Sequence, residues 1–218
     1  MIDKNLSKSR IAINSFYFIA GLIFASWASR IPDIKDSLNL SDGDLGEVLF
    51  AIPIGQLSMM FLSGYAVTRF SSRKILPLSI LLYAVALIFI AIPNSSGTIF
   101  LVLFFFGTAA NSVNIALNTQ ACRLEALYQR NIMASFHGVW SLGGFFGGII
   151  GAILAQAGYS ILTHFTFISM VSVMIALIAG KYLTLDSSTV KSNDSENRKR
   201  LIRFNLSIIL LGLIGLYF

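Results

Sequence analysis

Apolar runs long enough to cross a bilayer recur along this chain, and that recurrence limits the fold more than any single motif. A span needs ~20 mostly apolar residues. Six segments meet this, at roughly 11–29, 45–67, 75–93, 98–121, 132–155 and 160–182. In hydrocarbon only helices and closed barrels satisfy their backbone amides internally, and runs this long are helical. The sequence therefore predicts an all-α polytopic membrane protein. Only 12% of the 218 residues are charged, about half the ~25% of a soluble domain.

A seventh run begins near 202 and is still apolar at Phe218. It reads as the truncated start of a further helix in a longer protein. The stretch TLDSSTVKSNDSENRKR (184–200) is polar and without periodicity, and reads as a linker. The expected division is a six-helix bundle over 1–183, a cytoplasmic linker over 184–201 and a helix start over 202–218. The basic residues before the first span and the small-residue pattern Ser26-Trp27-Ala28 also resemble a cleavable signal. Five more spans follow and the first is long for a signal, so an uncleaved helix is the reading kept.

Charge fixes the topology. With the N-terminus in the cytoplasm and each span crossing once, fourteen of the 16 Lys and Arg face inside, and only Arg30 and Lys35 face outside. Acidic residues divide evenly. This is the positive-inside pattern, which counts basic residues and largely ignores acids. The net charge of +6 thus orients the chain and is not a nucleic-acid footprint. A multi-pass protein of a bacterial inner membrane, with a lipid bilayer as its first partner, is expected.

The six spans divide into two triplets. ASRI at 28–31 matches ACRL at 121–124, each at the end of a span. Gly46 and Gly55 are spaced like Gly138 and Gly147, one span further on in each triplet. The matched ends face opposite sides of the membrane, as an inverted repeat requires. The outer loop 30–44 ends in Ser41-Asp42-Gly43-Asp44, a helix-cap pattern. The third span, ILPLSILLYAVALIFIAIP, is aliphatic enough to face lipid.

The fourth span keeps Asn111, Asn114, Asn118 and Gln120. At 100° per residue, Gly107, Asn111, Asn114 and Asn118 fall within about 60° of arc, while Gln120 points away. Unpaired polar groups in hydrocarbon cost several kcal/mol, so a lipid-facing stripe is excluded. Two readings stand: amides lining an aqueous cavity, or amides joining helices. Gln120, near the inner end, is expected to reach interfacial water.

The fifth span, SFHGVWSLGGFFGGIIG, places His137, Ser141, Gly144, Gly148 and Gly151 on one face, with Gly143 and Gly147 beside it. Small residues four apart let helices approach closely. His137 and Trp140 are candidates for the cavity, with His137 either a solute or proton ligand or a neutral hydrogen-bonded group. The first span aligns Asn14 and Tyr17 with Gly21 and Ala25. At its outer end Trp27 reads as an interface anchor and Arg30 as a snorkelling side chain. In the second span Pro53 and Gly55 beside Gln56 are expected to kink or loosen the helix. No Asp or Glu lies mid-span. No metal-ligand cluster, phosphate loop or nucleophile–base pair is present, so neither an enzyme nor a cofactor is expected. The single Cys122 excludes an internal disulfide.

The inner loop GYAVTRFSSRK (64–74) resembles the Gly-x-x-x-Asp-Arg-x-Gly-Arg-Lys signature of the major facilitator superfamily. Gly64 and Arg69 match, and Arg73 and Lys74 supply the basic end; Thr68 replaces the Asp and Ser71 the second Gly. WASRIPDIK, Asn-x-x-Asn-x-x-x-Asn-x-Gln-Ala and SFHGVWSLGG together resemble the branch with fucose-permease-like and bypass-of-stop-codon-type transporters. The resemblance implies two six-helix bundles around a central cavity and alternating access. This chain would be the N-terminal bundle, in two inverted three-helix repeats, plus the start of helix seven. The carboxylates of fucose transporters are not here, so fucose–proton symport does not carry over.

The expected function is secondary transport of a small, polar, sugar-like solute. Its candidate cavity residues are Asn14, Tyr17, Gln56, Asn111, Asn114, Asn118, His137, Trp140 and Ser141. The loop signature Gly64, Arg69, Arg73 and Lys74 is the candidate gate, and Gly143, Gly144, Gly147, Gly148 and Gly151 the packing face. The missing C-terminal half is the expected partner. Efflux of amphipathic compounds and a non-transporting scaffold or sensor are the alternatives.

Overall fold

The computed structural model describes residues 4–184. The linker beyond Thr184 and the helix start over 202–218 lie outside them. The described chain is α1 (Lys4–Ala28), α2 (Ile31–Ser37), α3 (Asp42–Phe70), α4 (Ser72–Phe89), α5 (Ser96–Tyr128), α6 (Met133–Gln156) and α7 (Ile161–Ala179), then a 3-10 turn over Gly180–Tyr182. Six of the helices are long and apolar enough to cross a membrane. They are α1 and α3–α7, the six expected spans.

The outer loop holds what its polarity hid. IPDIKDS forms the short helix α2, with its proline in the first turn, where a missing N–H costs little, and Ile34 buried beneath it. Ser41 caps α3: its hydroxyl accepts from Asp44 N, and Asp44 Oδ2 accepts from Ser41 N at 3.1 Å. Ser95 and Thr98 do the same for α5. Each such box is worth ~1 kcal/mol. α3 is one continuous helix through Pro53 and Gly55. Gly55 serves contact: a methyl group there would strike the Phe104 carbonyl of α5, as one on Gly107 would strike that of Ile52.

The helices interleave across the two triplets. α1 packs along α6, and α3 along α5. In the first pair Gly21 lies on the Trp140 carbonyl, Gly143 on Phe18 and Gly147 on Leu22. Neither triplet completes its core without the other. Phe16, Phe106, Phe136 and Phe165, from four different helices, are fully buried at its centre. α4 is aliphatic but not simply lipid-facing: Leu76, Ile80, Tyr83 and Leu87 turn inward, while Leu78, Leu82 and Phe89 turn out.

Between α3 and α4 the chain turns at Ser71, with φ 82 and ψ 132. That region is open to glycine and strained for other residues. It is the position where the loop signature has its second glycine, and the structure gives the reason for that glycine.

Candidate functional site

α1, α3, α4, α5 and α6 line an open cavity of about 410 Å³. Tyr17, Ala20 and Phe24 come from α1, Gln56 from α3 and Tyr83 from α4. Asn111, Asn114 and Leu117 come from α5, and His137 and Trp140 from α6. Its described lining has no Asp, Glu, Lys or Arg. Aromatic rings and carboxamides supply its chemistry.

A hydrogen-bonded row crosses one wall. The Tyr17 hydroxyl donates to Asn118 Oδ1 at 2.6 Å, and Asn118 Nδ2 donates to Asn114 Oδ1 at 2.6 Å. Reversing this order would leave the tyrosine proton only the Met133 thioether, 3.8 Å away, a poor acceptor. The direction runs from Tyr17 outward, so Asn114 keeps its N–H donors for the cavity. Tyr17 itself is fixed by a stack on Phe136, ring centres 5.4 Å apart, and by the His137 ring edge-on at 5.5 Å. Asn111 Oδ1 is buried without a partner.

The expected site residues do not all converge. Tyr17, Gln56, Asn111, Asn114, His137 and Trp140 line the cavity. Asn118 stands behind Asn114 and joins it to Tyr17. Asn14 is outside the lining, half-buried, with Oδ1 unpartnered. Ser141 is also outside; its hydroxyl turns back onto the His137 carbonyl. Sequence reasoning passed over Tyr83, which reaches the cavity from α4 and packs on Phe106 at 4.5 Å. A lone phenol in an aliphatic run was the available signal.

The small-residue face of α6 is Gly143, Gly147 and Gly151. Gly144 only brushes Ala25, and Gly148 meets open space. Along the loop signature, Gly64 also faces open space and Lys74 is exposed. Arg69 lies over the Phe70 ring, and Arg73 donates to the Lys181 carbonyl at 3.4 Å. Thr68, standing for the signature's Asp, folds its hydroxyl back onto Tyr65 O.

Three end-of-helix readings are corrected. Gln120 does not reach water. It is fully buried, and its Nε2 donates to Ser72 Oγ at 2.8 Å, while its Oε1 accepts from Thr184 N at 3.1 Å. Trp27 is no interface anchor but is buried against Phe106. Arg30 does not snorkel: it is 2% exposed and donates to His164, Asp33 and Tyr159.

The family model for the Major Facilitator Superfamily matches residues 13–218. An uncharacterized MFS-type transporter of Yersinia pestis is 31% identical over 77% of this chain and 44% of its own length. Membrane protein MosC of Rhizobium meliloti is 34% identical over 68% of this chain and 37% of its own. An uncharacterized transporter of Sinorhizobium fredii is 25% identical over 92% and 52%. The chain thus spans about half or less of the curated relatives it matches. Among solved structures, the nucleoside transporter NupG superposes with a TM-score of 0.68 at 16% identity, covering 92% of this chain and 53% of that one. At that identity the likeness is one of fold.

Proposed function

This chain belongs to the major facilitator superfamily, an integral multi-pass membrane family, and on that footing we propose that it forms the N-terminal half of a secondary transporter for a small, neutral, polar solute. The observation that carries the reading is the row Tyr17–Asn118–Asn114 beside a cavity whose described lining has no Asp, Glu, Lys or Arg. An ionised solute would find no opposite charge from Asp, Glu, Lys or Arg on this wall, and a buried charge left unpaired costs several kcal/mol. A neutral one finds amide donors from Asn114 and flat aromatic faces from Tyr17, Phe24 and Trp140. A second six-helix half supplies the facing wall. The pair alternates access while the loop 64–74 makes and breaks contact at the cytoplasmic side. The N-terminus is cytoplasmic and the membrane is a bacterial inner membrane. A sugar-like ring fits both the donors and the aromatic faces.

Efflux of amphipathic compounds is the second reading, favoured by the number of rings around the same cavity. Uptake into proteoliposomes holding the full-length protein separates the two. A panel of neutral sugars and nucleosides is expected to give saturable uptake. Saturable transport of hydrophobic cations alone would favour efflux.

A further inference from the structure

At the α2 end of the bundle, a cluster outside the cavity holds a buried cation. Arg30 sits in the turn after α1. Its Nε donates to His164 Nδ1 at 3.2 Å, its Nη1 to Asp33 Oδ2 at 3.0 Å and its Nη2 to the Tyr159 carbonyl at 3.0 Å. These bonds join α1, α2, the α6–α7 turn and α7. A guanidinium has N–H donors only and keeps its charge. His164 Nδ1 must therefore offer a lone pair. The imidazole is neutral, with its proton on Nε2, and that atom is buried without a partner.

The groups around the ring are few. The turn after α1 brings Arg30, and α2 brings Asp33, with its side chain 43% exposed. α6 presents Gly151, where a methyl group would come within 3.1 Å of His164 Cε1. Of α4's titratable groups, Arg73 and Lys74 are at the opposite end and Tyr83 lies on Phe106. Tyr159 contributes its carbonyl, its side chain being exposed. One partly exposed carboxylate cannot balance two buried cations.

The inverted repeat supplies an internal comparison. The offset that carries Gly46 onto Gly138 and Gly55 onto Gly147 carries Ser72 onto His164. ASRI and ACRL set Arg30 against Arg123, one residue from that register. At the opposite end Arg123 Nη1 donates to Ser72 Oγ at 3.0 Å. The same kind of arginine contact thus closes both ends, on a hydroxyl at one and on a titratable imidazole at the other.

We propose that Arg30 and His164 form a proton-sensitive pin, closed while His164 is neutral and opened when a proton occupies Nδ1. The proton takes the lone pair that Arg30 donates to and sets two cations side by side in a dry site. The ring then swings to water, freeing the ends of α1 and α7. Both are positioning residues, and the pin is separate from the solute cavity.

The test needs no solute. In the full-length protein in lipid nanodiscs, with Cys122→Ser, a probe cysteine replaces the fully buried Ser26. Its labelling by a water-soluble maleimide is divided by that of an exposed control, Asn39→Cys in place of Ser26→Cys, which cancels the thiolate's own pH dependence. For uptake of one proton by an imidazole that titrates near ~6.5 once in water, the ratio is expected to rise roughly tenfold between about pH 7.5 and 5.5. His164→Gln, which keeps an acceptor for Arg30 and cannot titrate, is expected to hold the ratio flat. A flat ratio in the His164 protein, or the same rise with His164→Gln, would overturn the pin. Either result leaves the transport reading untouched, because that reading is judged by uptake.

Discussion

Tyr17 of α1 and Asn118 of α5 are joined by a 2.6 Å hydrogen bond that closes one wall of the cavity. The phenol is buried and stacked on Phe136, so its hydroxyl is held where the amide needs a donor. Tyr17→Phe keeps the stack and removes the proton. Asn118 is half-buried, so the expected loss is that of one ordinary hydrogen bond, ~1 kcal/mol. It would be read as a lower melting temperature of the full-length protein in detergent. Solute affinity should also fall, because Asn118 is then free to turn and Asn114 loses its fixed orientation.

The glycines of α6 separate by which face they occupy. Gly143→Ala drives a methyl group into the Phe18 carbonyl of α1, and backbone cannot step aside as a side chain can. Overpacking of this kind costs ~1–3 kcal/mol. Gly148→Ala meets nothing within this half and should change stability by no more than about 0.5 kcal/mol. Equal melting of the two variants would contradict the packing described.

Ser71 offers the opposite sign. At φ 82 it bears strain, and its side chain makes no capping bond that would be lost. Ser71→Gly restores the residue of the loop signature and is expected to stabilise the protein by about 1 kcal/mol, relief of strain outweighing the added freedom of the unfolded chain. A rise in melting temperature with unchanged transport is the expected outcome.

Gln120→Leu tests the inner clamp. It would strand the Thr184 N–H and hydroxyl, both of which Gln120 Oε1 now accepts from. Leaving such donors unpaired in a closed site costs ~1–3 kcal/mol. Gln120→Glu keeps the acceptor and should recover part of that loss.

Much of this fold is legible in the sequence because membrane spans announce themselves by length, and because Ser41 and Asp44 form their cap locally. What the sequence does not show is what lies opposite. The helical wheel places Gln120 away from the amide row, but α5 is flanked on both sides, so its far face meets Ser72 and Thr184 rather than water. Arg30 carries the appearance of a snorkelling side chain because its partners stand more than a hundred positions later, at Tyr159 and His164. On α6 two small-residue stripes lie side by side. Periodicity alone favours the one with Gly144 and Gly148, and only the path of α1 selects Gly143 and Gly147. Ser141 and Asn14 share a wheel face with cavity residues yet fall outside the cavity, since helices that cross bring only part of a face to one point.

The most direct test of the central claim is Asn114→Leu in the full-length protein, measured for both melting and uptake of whichever neutral sugar or nucleoside the panel shows to be carried. Asn114 is exposed to the cavity, so its replacement leaves water to satisfy Asn118 Nδ2. The account predicts a melting temperature close to that of the unaltered protein. It also predicts an affinity five- to thirtyfold weaker, roughly the loss of one or two solute hydrogen bonds at ~1 kcal/mol each. Clear destabilisation with unchanged affinity would contradict it, and would make the amide row a joint between helices rather than a surface for solute.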